Sequence, residues 1–181
     1  MSRTLKFSIP GHPVPKQRHQ SVPLKQCKGC GRKTVQRICK CGSQDMSLLT
    51  VIESTPKKTR DYEKNVAMFA SEAMREAGQA DLFSGPITLH AQFCFLMPES
   101  RVCKKHKEGC KKLHKGDPHT QRPDLDNLLK SIKDGMNQVV WVDDSMIYKF
   151  GRLEKIWSDV PGIVIEVVEE GDESLASEVT L

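Results

Sequence analysis

The sequence predicts an α+β fold, a single small domain with a mixed or antiparallel sheet and two main helices. Three observations lead to this class: segments of alternating apolar residues, two segments with apolar residues at helical spacing, and a length of 181 residues, which suffices for one core. The predicted order is strand, loop with a cysteine-rich insertion, helix, strand, basic loop, helix and two strands.

Four segments have the residue pattern of strands. Thr4–Ile9 alternates between apolar and polar residues, and Ile87–Leu96 does so strictly, which makes it the clearest strand of the chain. Towards the C-terminus, Met146–Trp157 and Ile163–Val168 predict two strands joined by a turn.

Two segments predict helices. The first begins around residue 59 or 61 and ends at Gly78, a residue typical of a helix C-terminus. The second follows Pro123, which suits the start of a helix, and continues with apolar residues at helical spacing. We expect Asp124 or Asp126 to accept hydrogen bonds from the free N–H groups of this second helix.

The net charge of +5 is unevenly spread along the chain. Residues 166–181 contain six acidic and no basic residues, so residues 1–165 hold 28 basic and 17 acidic residues, a net charge of +11. We expect residues 1–170 to form the folded domain, with affinity for a polyanion, and residues 171–181 to be an acidic, disordered tail. No apolar run reaches membrane-spanning length and no secretory signal is visible, so a cytoplasmic protein is expected.

A carboxylate-rich segment, residues 120–149, is the strongest functional signal. Its five aspartates are Asp124, Asp126, Asp134, Asp143 and Asp144. Hard cations such as Mg²⁺ prefer carboxylate oxygens, so this density favours a metal site, with helix capping and surface salt bridges as the alternative. Lys130 lies one helical turn after Asp126 on the same face. An EF-hand is excluded, because leucine stands where its loop requires glycine.

Two cysteine pairs lie in the loop after the first strand. They are Cys27 with Cys30 and Cys39 with Cys41, each pair followed by glycine. Tetrahedral ligation of zinc by four thiolates fits this spacing, although one residue separates the second pair where two are usual. Disulfides are the competing interpretation, and a reducing cytosol disfavours them. We therefore predict a zinc-knuckle insertion over residues 26–43.

Two loops predict contact with phosphates. The most basic segment of the chain, residues 101–118, contributes Lys104, Lys105, Lys111 and Lys112. The loop after the first strand contributes Lys16 and Arg18. Four residues of the basic segment also have the chemistry of a second zinc site, which we leave open: Cys103, His106, Cys110 and His114.

Several of these motifs together resemble one family. The resemblance is carried by His119-Thr120, RPDLDNLLK at residues 122–130, DGMN at residues 134–137, and Asp143-Asp144-Ser145. These motifs resemble the RusA family of Holliday-junction resolvases, and IPGHPVPKQR at residues 9–18 is similar to that family's opening strand and basic loop. The resemblance covers most of the chain in order, but the four cysteines are not part of the family's core pattern.

The resemblance implies a homodimeric, Mg²⁺-dependent endonuclease that cuts a four-way DNA junction by paired symmetric nicks. By this resemblance Asp124, Asp126 and Asp144 hold the metal, and Lys130 acts on the scissile phosphate. Asp143 is the alternative to Asp144. Asp134 is expected to support the helix or the dimer, and His119 to brace the turn before the motif.

Three other interpretations stay open at this point. The chain would then be a zinc-containing nucleic-acid-binding protein without nuclease activity, another metal-dependent DNA nuclease, or a relative that binds junctions and no longer cuts. A nuclease of the restriction-endonuclease type is disfavoured, because Asp126 and Lys130 are four residues apart and the Asp/Glu-x-Lys spacing is absent.

Overall fold

The computed structural model describes residues 2–102 and 112–171, and the chain divides into two compact units. The larger unit comprises Met1–Lys16 and Asp61–Leu181, and the smaller comprises Gln17–Arg60. The predicted α+β class is confirmed, with two helices, a mixed sheet, an antiparallel sheet and an N-terminal four-cysteine cluster. No helix in the described ranges is long and apolar enough to span a membrane.

The chain forms seven strands and two α-helices within the described residues. The strands are β1 (Arg3–Pro10), β2 (Gln20–Cys27), β3 (Lys33–Thr34), β4 (Met46–Ser54), β5 (Ile87–Leu96), β6 (Ile147–Ser158) and β7 (Gly162–Glu169). The helices are α1 (Lys57–Glu76) and α2 (Leu125–Met136). Helix α1 thus begins two to four residues before the predicted start, and Gly78, with φ of 65°, follows its end as predicted.

A mixed four-stranded sheet lies at the centre of the larger unit, in the spatial order β1-β7-β5-β6. Strand β7 pairs antiparallel with both β1 and β5, whereas β5 and β6 are parallel. Strand β5 is paired on both sides, and its residues Ile87, Leu89, Ala91 and Phe93 are at most 1% exposed. Its central position explains why its alternation is the clearest in the sequence.

The two helices complete the apolar core of the larger unit. Val66 and Ala70 of α1, and Leu128 and Ile132 of α2, are fully buried in the same cluster as the strands. The helices approach closely at Gly135, where an added Cβ would lie 2.7 Å from the Val66 Cβ. Only glycine permits this approach, and it fixes where α2 lies against α1.

The smaller unit contains a three-stranded antiparallel sheet in the order β3-β2-β4. A loop with a cysteine-rich insertion was predicted between the first strand and the first helix, and this was wrong in part, because β2, β3 and β4 lie there. Pro23 is compatible with the strand because β3 pairs only with Lys25 and Gln26, which leaves β2 an edge strand at Pro23 on the side away from β4. Strand β4 was missed because its apolar residues are exposed and show no single buried face.

The smaller unit has almost no apolar core. Within residues 17–60, all of which are described, the buried residues are Cys27, Cys39 and Thr59. A unit of this size that buries so little apolar surface needs another source of stability, such as a bound metal.

Candidate active site and metal centre

The acidic motif is carried by the start of α2 and by the turn before β6. Asp124 precedes α2 with an extended backbone, and its carbonyl accepts the Leu128 N–H at 3.2 Å. The Asp124 side chain makes no capping hydrogen bond, so the capping expectation was wrong for this residue. Its carboxylate is therefore not used by the N–H groups of the helix.

Asp126 and Lys130 form the pair that their spacing predicts. The Lys130 Nζ lies 3.5 Å from the Asp126 Oδ2, one turn along α2. The side chains are 64% and 62% exposed, and an ion pair this exposed contributes little to stability. Both groups are accessible to a ligand from solvent.

Trp141 positions the second part of the motif. The residue is fully buried, and its neighbours pair with Phe83: the Phe83 N–H donates to the Val140 carbonyl at 2.8 Å, and the Val142 N–H donates to the Phe83 carbonyl at 3.1 Å. The Trp141 indole N–H donates to the Asp144 Oδ1 at 2.9 Å. A buried ring thus sets the orientation of this carboxylate.

Lys133 joins Asp144 to α2. The Lys133 Nζ lies 3.3 Å from the Asp144 Oδ2, and both side chains are less than a third exposed. Lys133 is seven residues after Asp126, which is about two turns along the same face of the helix. This contact therefore places Asp144 beside the helix that carries Asp126.

Asp143 has a different, local role. Its Oδ1 accepts the Ser145 N–H at 2.9 Å and caps the short 3₁₀ turn of Asp144–Met146. Hydrogen bonds from the Ser145 side chain and backbone lower the pKa of Asp143. Of the two adjacent aspartates, Asp144 is the one held against α2.

The three candidate ligands do not form a closed cluster. Within residues 2–102 and 112–171, the four cysteines are the one group of three or more candidate ligands whose donor atoms lie mutually within 4.8 Å. Asp126 and Asp144 each have a lysine ammonium beside them. Carboxylates that converged without a cation would repel one another, so a more open arrangement is expected for these side chains.

Lys155 of β6 holds the loop that leads into Asp124. Its Nζ donates to the carbonyl of Gln121 at 2.8 Å and to that of Pro123 at 2.7 Å. Sequence reasoning missed Lys155 and Lys133, because each acts through a contact with another part of the fold. The role of Trp141 was also missed: Asp144 is only three residues away, but no residue pattern indicated that the indole would donate to this carboxylate.

His119, at the start of the same loop, is buried against aromatic side chains of β5 and β6. It is 5% exposed, stacks on Phe95 with ring centroids 4.1 Å apart, and lies 4.3 Å from the Trp157 ring. Its backbone N–H donates to the Lys155 carbonyl at 2.9 Å. Burial, together with the Lys155 charge, lowers the pKa of His119.

Lys16, predicted to contact DNA, lies in a network within the larger unit. Its Nζ contacts the Asp134 carboxylate and lies 3.5 Å from the Glu63 Oε1. Asp134 therefore ties the N-terminal segment to α2. Arg18 and Lys112, also predicted to contact DNA, are exposed.

Several predicted residues lie outside the described part of the chain. They are Lys104, Lys105, Lys111, Cys103, His106 and Cys110, together with the acidic residues 172–181. Of the second zinc site only His114 is described, and its backbone N–H donates to the Asp117 Oδ2 at 2.7 Å.

The four cysteines of the smaller unit form a compact cluster. The Sγ atoms of Cys27 and Cys41 are 3.6 Å apart, and those of Cys30 and Cys39 are 3.5 Å apart. All four are free thiols at distances far above the roughly 2.05 Å of a disulfide. Four thiolates around a zinc ion at about 2.3 Å would lie about 3.8 Å apart, so the cluster has the size of a tetrahedral metal site.

The backbone around the cysteines supports this geometry. Gly31 and Gly42 have φ of 70° and 88°, and their N–H groups donate to the carbonyls of Cys27 and Cys39 at 2.8 Å. At each turn the chain folds back, so that the two cysteines of the pair lie close together. A hydrogen bond from the Cys30 backbone N–H contributes most to lowering the pKa of Cys27 to about 6. The Arg32 backbone N–H acts in the same direction on Cys30, but the neighbouring Cys39 and Cys41 thiols raise the pKa of Cys30 to about 12, so zinc ligation would have to release protons from the cluster.

Comparison with known proteins identifies the family. A family model described as endodeoxyribonuclease RusA matches residues 46–168, more than half of the chain. The chain belongs to the RusA family of endodeoxyribonucleases. It is also 29% identical over 115 residues to the uncharacterized protein YqaN of Bacillus subtilis (strain 168). The aligned residues cover 63% of this chain and 76% of that protein.

The RusA match includes one of the two candidate sites and excludes the other. It includes α1, β5, α2 and β6, and with them every aspartate and lysine of the acidic motif. The four cysteines precede residue 46 and lie outside the match. The acidic motif therefore belongs to the RusA family region, whereas the cysteine cluster does not.

The lowered pKa of His119 makes stability depend on pH. In the unfolded chain this histidine binds a proton near pH 6.5, whereas the folded protein resists protonation, so stability should fall as the pH drops below about 6.5. We expect the melting temperature of the wild type to fall more between pH 7.5 and 5.5 than that of His119→Phe, which keeps an aromatic ring between Phe95 and Trp157. Equal losses in the two proteins would show that His119 is not the titrating group.

Proposed function

We propose that this RusA family chain is a Mg²⁺-dependent, structure-selective endodeoxyribonuclease that resolves four-way DNA junctions by paired symmetric nicks. The observation that supports it best is the contact of Asp144 with Lys133, because it brings a carboxylate from a distant turn to the helix that carries Asp126. Family membership supports the DNA substrate and a divalent metal.

The donor set fits a hard divalent cation. Asp124, Asp126 and Asp144 offer carboxylate oxygens, and a lysine ammonium already lies beside Asp126 and beside Asp144. Mg²⁺ prefers carboxylate oxygens of this kind and would compete with the two ammonium groups for them. When bound there, Mg²⁺ would supply an activated water and neutralise charge on the scissile phosphate.

Other residues of the site would orient the ligands and contact the phosphate. The Trp141 indole orients Asp144, and Lys155 fixes the carbonyls before Asp124. Lys130 is exposed at the side of Asp126 and would donate to the phosphate as negative charge develops on its oxygens. Asp143 is assigned the capping role, so we propose Asp144 as the metal ligand.

A two-fold homodimer would match the two-fold symmetry of a four-way junction. Each copy would present one acidic site to one of two equivalent strands, which yields a pair of symmetric nicks. The exposed residues Arg18 and Lys112 are proposed to contact the phosphate backbone, together with Lys104, Lys105 and Lys111.

We also propose that Cys27, Cys30, Cys39 and Cys41 hold one structural zinc ion. The support is the mutual distance of the four sulfur atoms, at most 4.8 Å, in a unit that has almost no apolar core. Four protein ligands would close the coordination sphere, which is typical of a structural site and not of a catalytic one.

The nuclease proposal is tested with Asp126→Asn. Loss of one ligand charge should lower the rate of Mg²⁺-dependent cleavage of a labelled four-way junction by at least about 100-fold. Binding of the same junction should stay within about 3-fold of wild type, because Asp126 repels phosphates and does not attract them. Cleavage is measured on denaturing gels, with a gel shift for binding.

The matched control is Asp159→Asn, which removes one exposed carboxylate from the turn between β6 and β7. It should cut like the wild type. If the wild type binds the junction but does not cut it with any divalent metal, the nuclease proposal fails, and a junction-binding protein without nuclease activity becomes the better description.

The zinc proposal predicts a difference in metal content. Cys41→Ser should hold one zinc ion fewer per chain than the wild type in elemental analysis, and proteases should cut it faster within residues 17–60. Cys94→Ser is the control, because Cys94 lies on β5 of the larger unit and is not a member of the cluster. Equal zinc content in Cys41→Ser and wild type would contradict the assignment.

A further inference from the structure

The smaller unit is strongly basic. Residues 17–60 contain ten basic residues and two acidic ones, a net charge of +8, against +5 for the whole chain. The basic residues are Arg18, Lys25, Lys28, Arg32, Lys33, Arg37, Lys40, Lys57, Lys58 and Arg60. Seven of these ten basic residues precede residue 46 and therefore lie outside the family match.

This charge is accessible and mostly uncompensated. Nine of the ten side chains belong to exposed residues, and Lys25 is half-buried. Among the residues that the structure describes, Lys28 is the one member of the set in an ion pair, with the Asp45 Oδ1 at 3.0 Å. The other nine make no ion pair with a carboxylate in the part of the chain that the structure describes.

Three of the cations line one groove. It has a volume of about 360 Å³ and lies between β3 and the second cysteine pair. Arg32, Lys33 and Lys40 supply the charge, and Leu24 and Val35 supply apolar surface. No carboxylate lines it. Cations around an apolar floor suit a nucleic acid strand, whose phosphates and sugars present the same two kinds of surface.

The cysteine cluster holds this groove in shape. The backbone N–H of Cys27 donates to the Arg32 carbonyl at 2.9 Å, and that of Cys39 donates to the Ser43 carbonyl at 2.9 Å. Cys39 itself lines the groove beside Lys40. The spacing of the three cations therefore depends on the loops that the four thiols bring together.

We propose that this groove is a second DNA-binding surface, which contacts the phosphate backbone of a DNA arm through Arg32, Lys33 and Lys40. The choice of DNA as the nucleic acid rests on the proposed nuclease function. The surface adds affinity without base readout, because cations and aliphatic side chains meet the backbone and not the edges of the bases. It gives the four-cysteine unit a function beyond its own folding.

The test compares two triple variants that lose the same charge. Arg32→Gln, Lys33→Gln and Lys40→Gln remove three cations from the groove. Lys6→Gln, Lys64→Gln and Arg75→Gln remove three exposed cations from the larger unit. Both sets are made in full-length, zinc-loaded protein that also carries Asp126→Asn, and binding to a four-way junction is measured by fluorescence anisotropy without Mg²⁺ at several salt concentrations.

The groove variant should bind at least about 10-fold more weakly than its parent, and its slope of log K against log salt should be smaller by about 0.9 for each lost phosphate contact. The control should stay within about 2-fold of the parent. If both variants bind equally well, or if the groove variant changes the oligomeric state and not DNA affinity, the proposal is overturned. Because no cleavage is involved, this outcome is independent of the nuclease test.

A second, single-residue variant tests the groove even if the triple variant does not fold. Gln36→Glu places one carboxylate in the groove without touching a cysteine or a glycine turn. Its zinc content should match the wild type while DNA binding weakens by at least about 3-fold. Unchanged binding by a zinc-loaded Gln36→Glu protein would count against the groove.

Discussion

The hydrogen bond from Trp141 to Asp144 is the contact on which the candidate active site depends. The ring is fully buried beside Phe83, whereas the carboxylate it holds is partly exposed. The packing of the Trp141 ring in the core therefore determines the orientation of the Asp144 carboxylate. Lys133 completes the arrangement by joining the same carboxylate to α2, so a change in the position of the helix would also move Asp144.

The two units are stabilised by different means. The larger has an apolar core in which α1 and α2 meet at Gly135, and Lys155 and His119 fix the loop before Asp124 by contacts from β6 and β5. The smaller, described throughout residues 17–60, buries only Cys27, Cys39 and Thr59, and it has the compact four-cysteine cluster in place of an apolar core. In the proposed function, a metal would therefore supply chemistry in the larger unit and would stabilise the fold in the smaller one.

The periodicity of apolar residues was sufficient to predict the helices and strands that bury one face. Strand β5 and helix α2 followed from spacing alone, as did the pairing of Asp126 with Lys130. Strand β4 was not predictable in this way, because it lacks a buried face. Contacts such as Lys155 with the Pro123 carbonyl join residues 32 positions apart, and no local signal encodes them. The proposal of Asp144 over Asp143 as metal ligand likewise rests on contacts that only the fold shows.

The most direct test of the central claim is Mn²⁺ binding measured by electron paramagnetic resonance on zinc-loaded protein, since Mn²⁺ prefers carboxylates to thiolates. Asp144→Asn is expected to weaken Mn²⁺ binding by at least about 10-fold. Asp143→Asn should bind like the wild type, because asparagine can still cap the turn. Weakened binding in Asp143→Asn together with unchanged binding in Asp144→Asn would contradict the account.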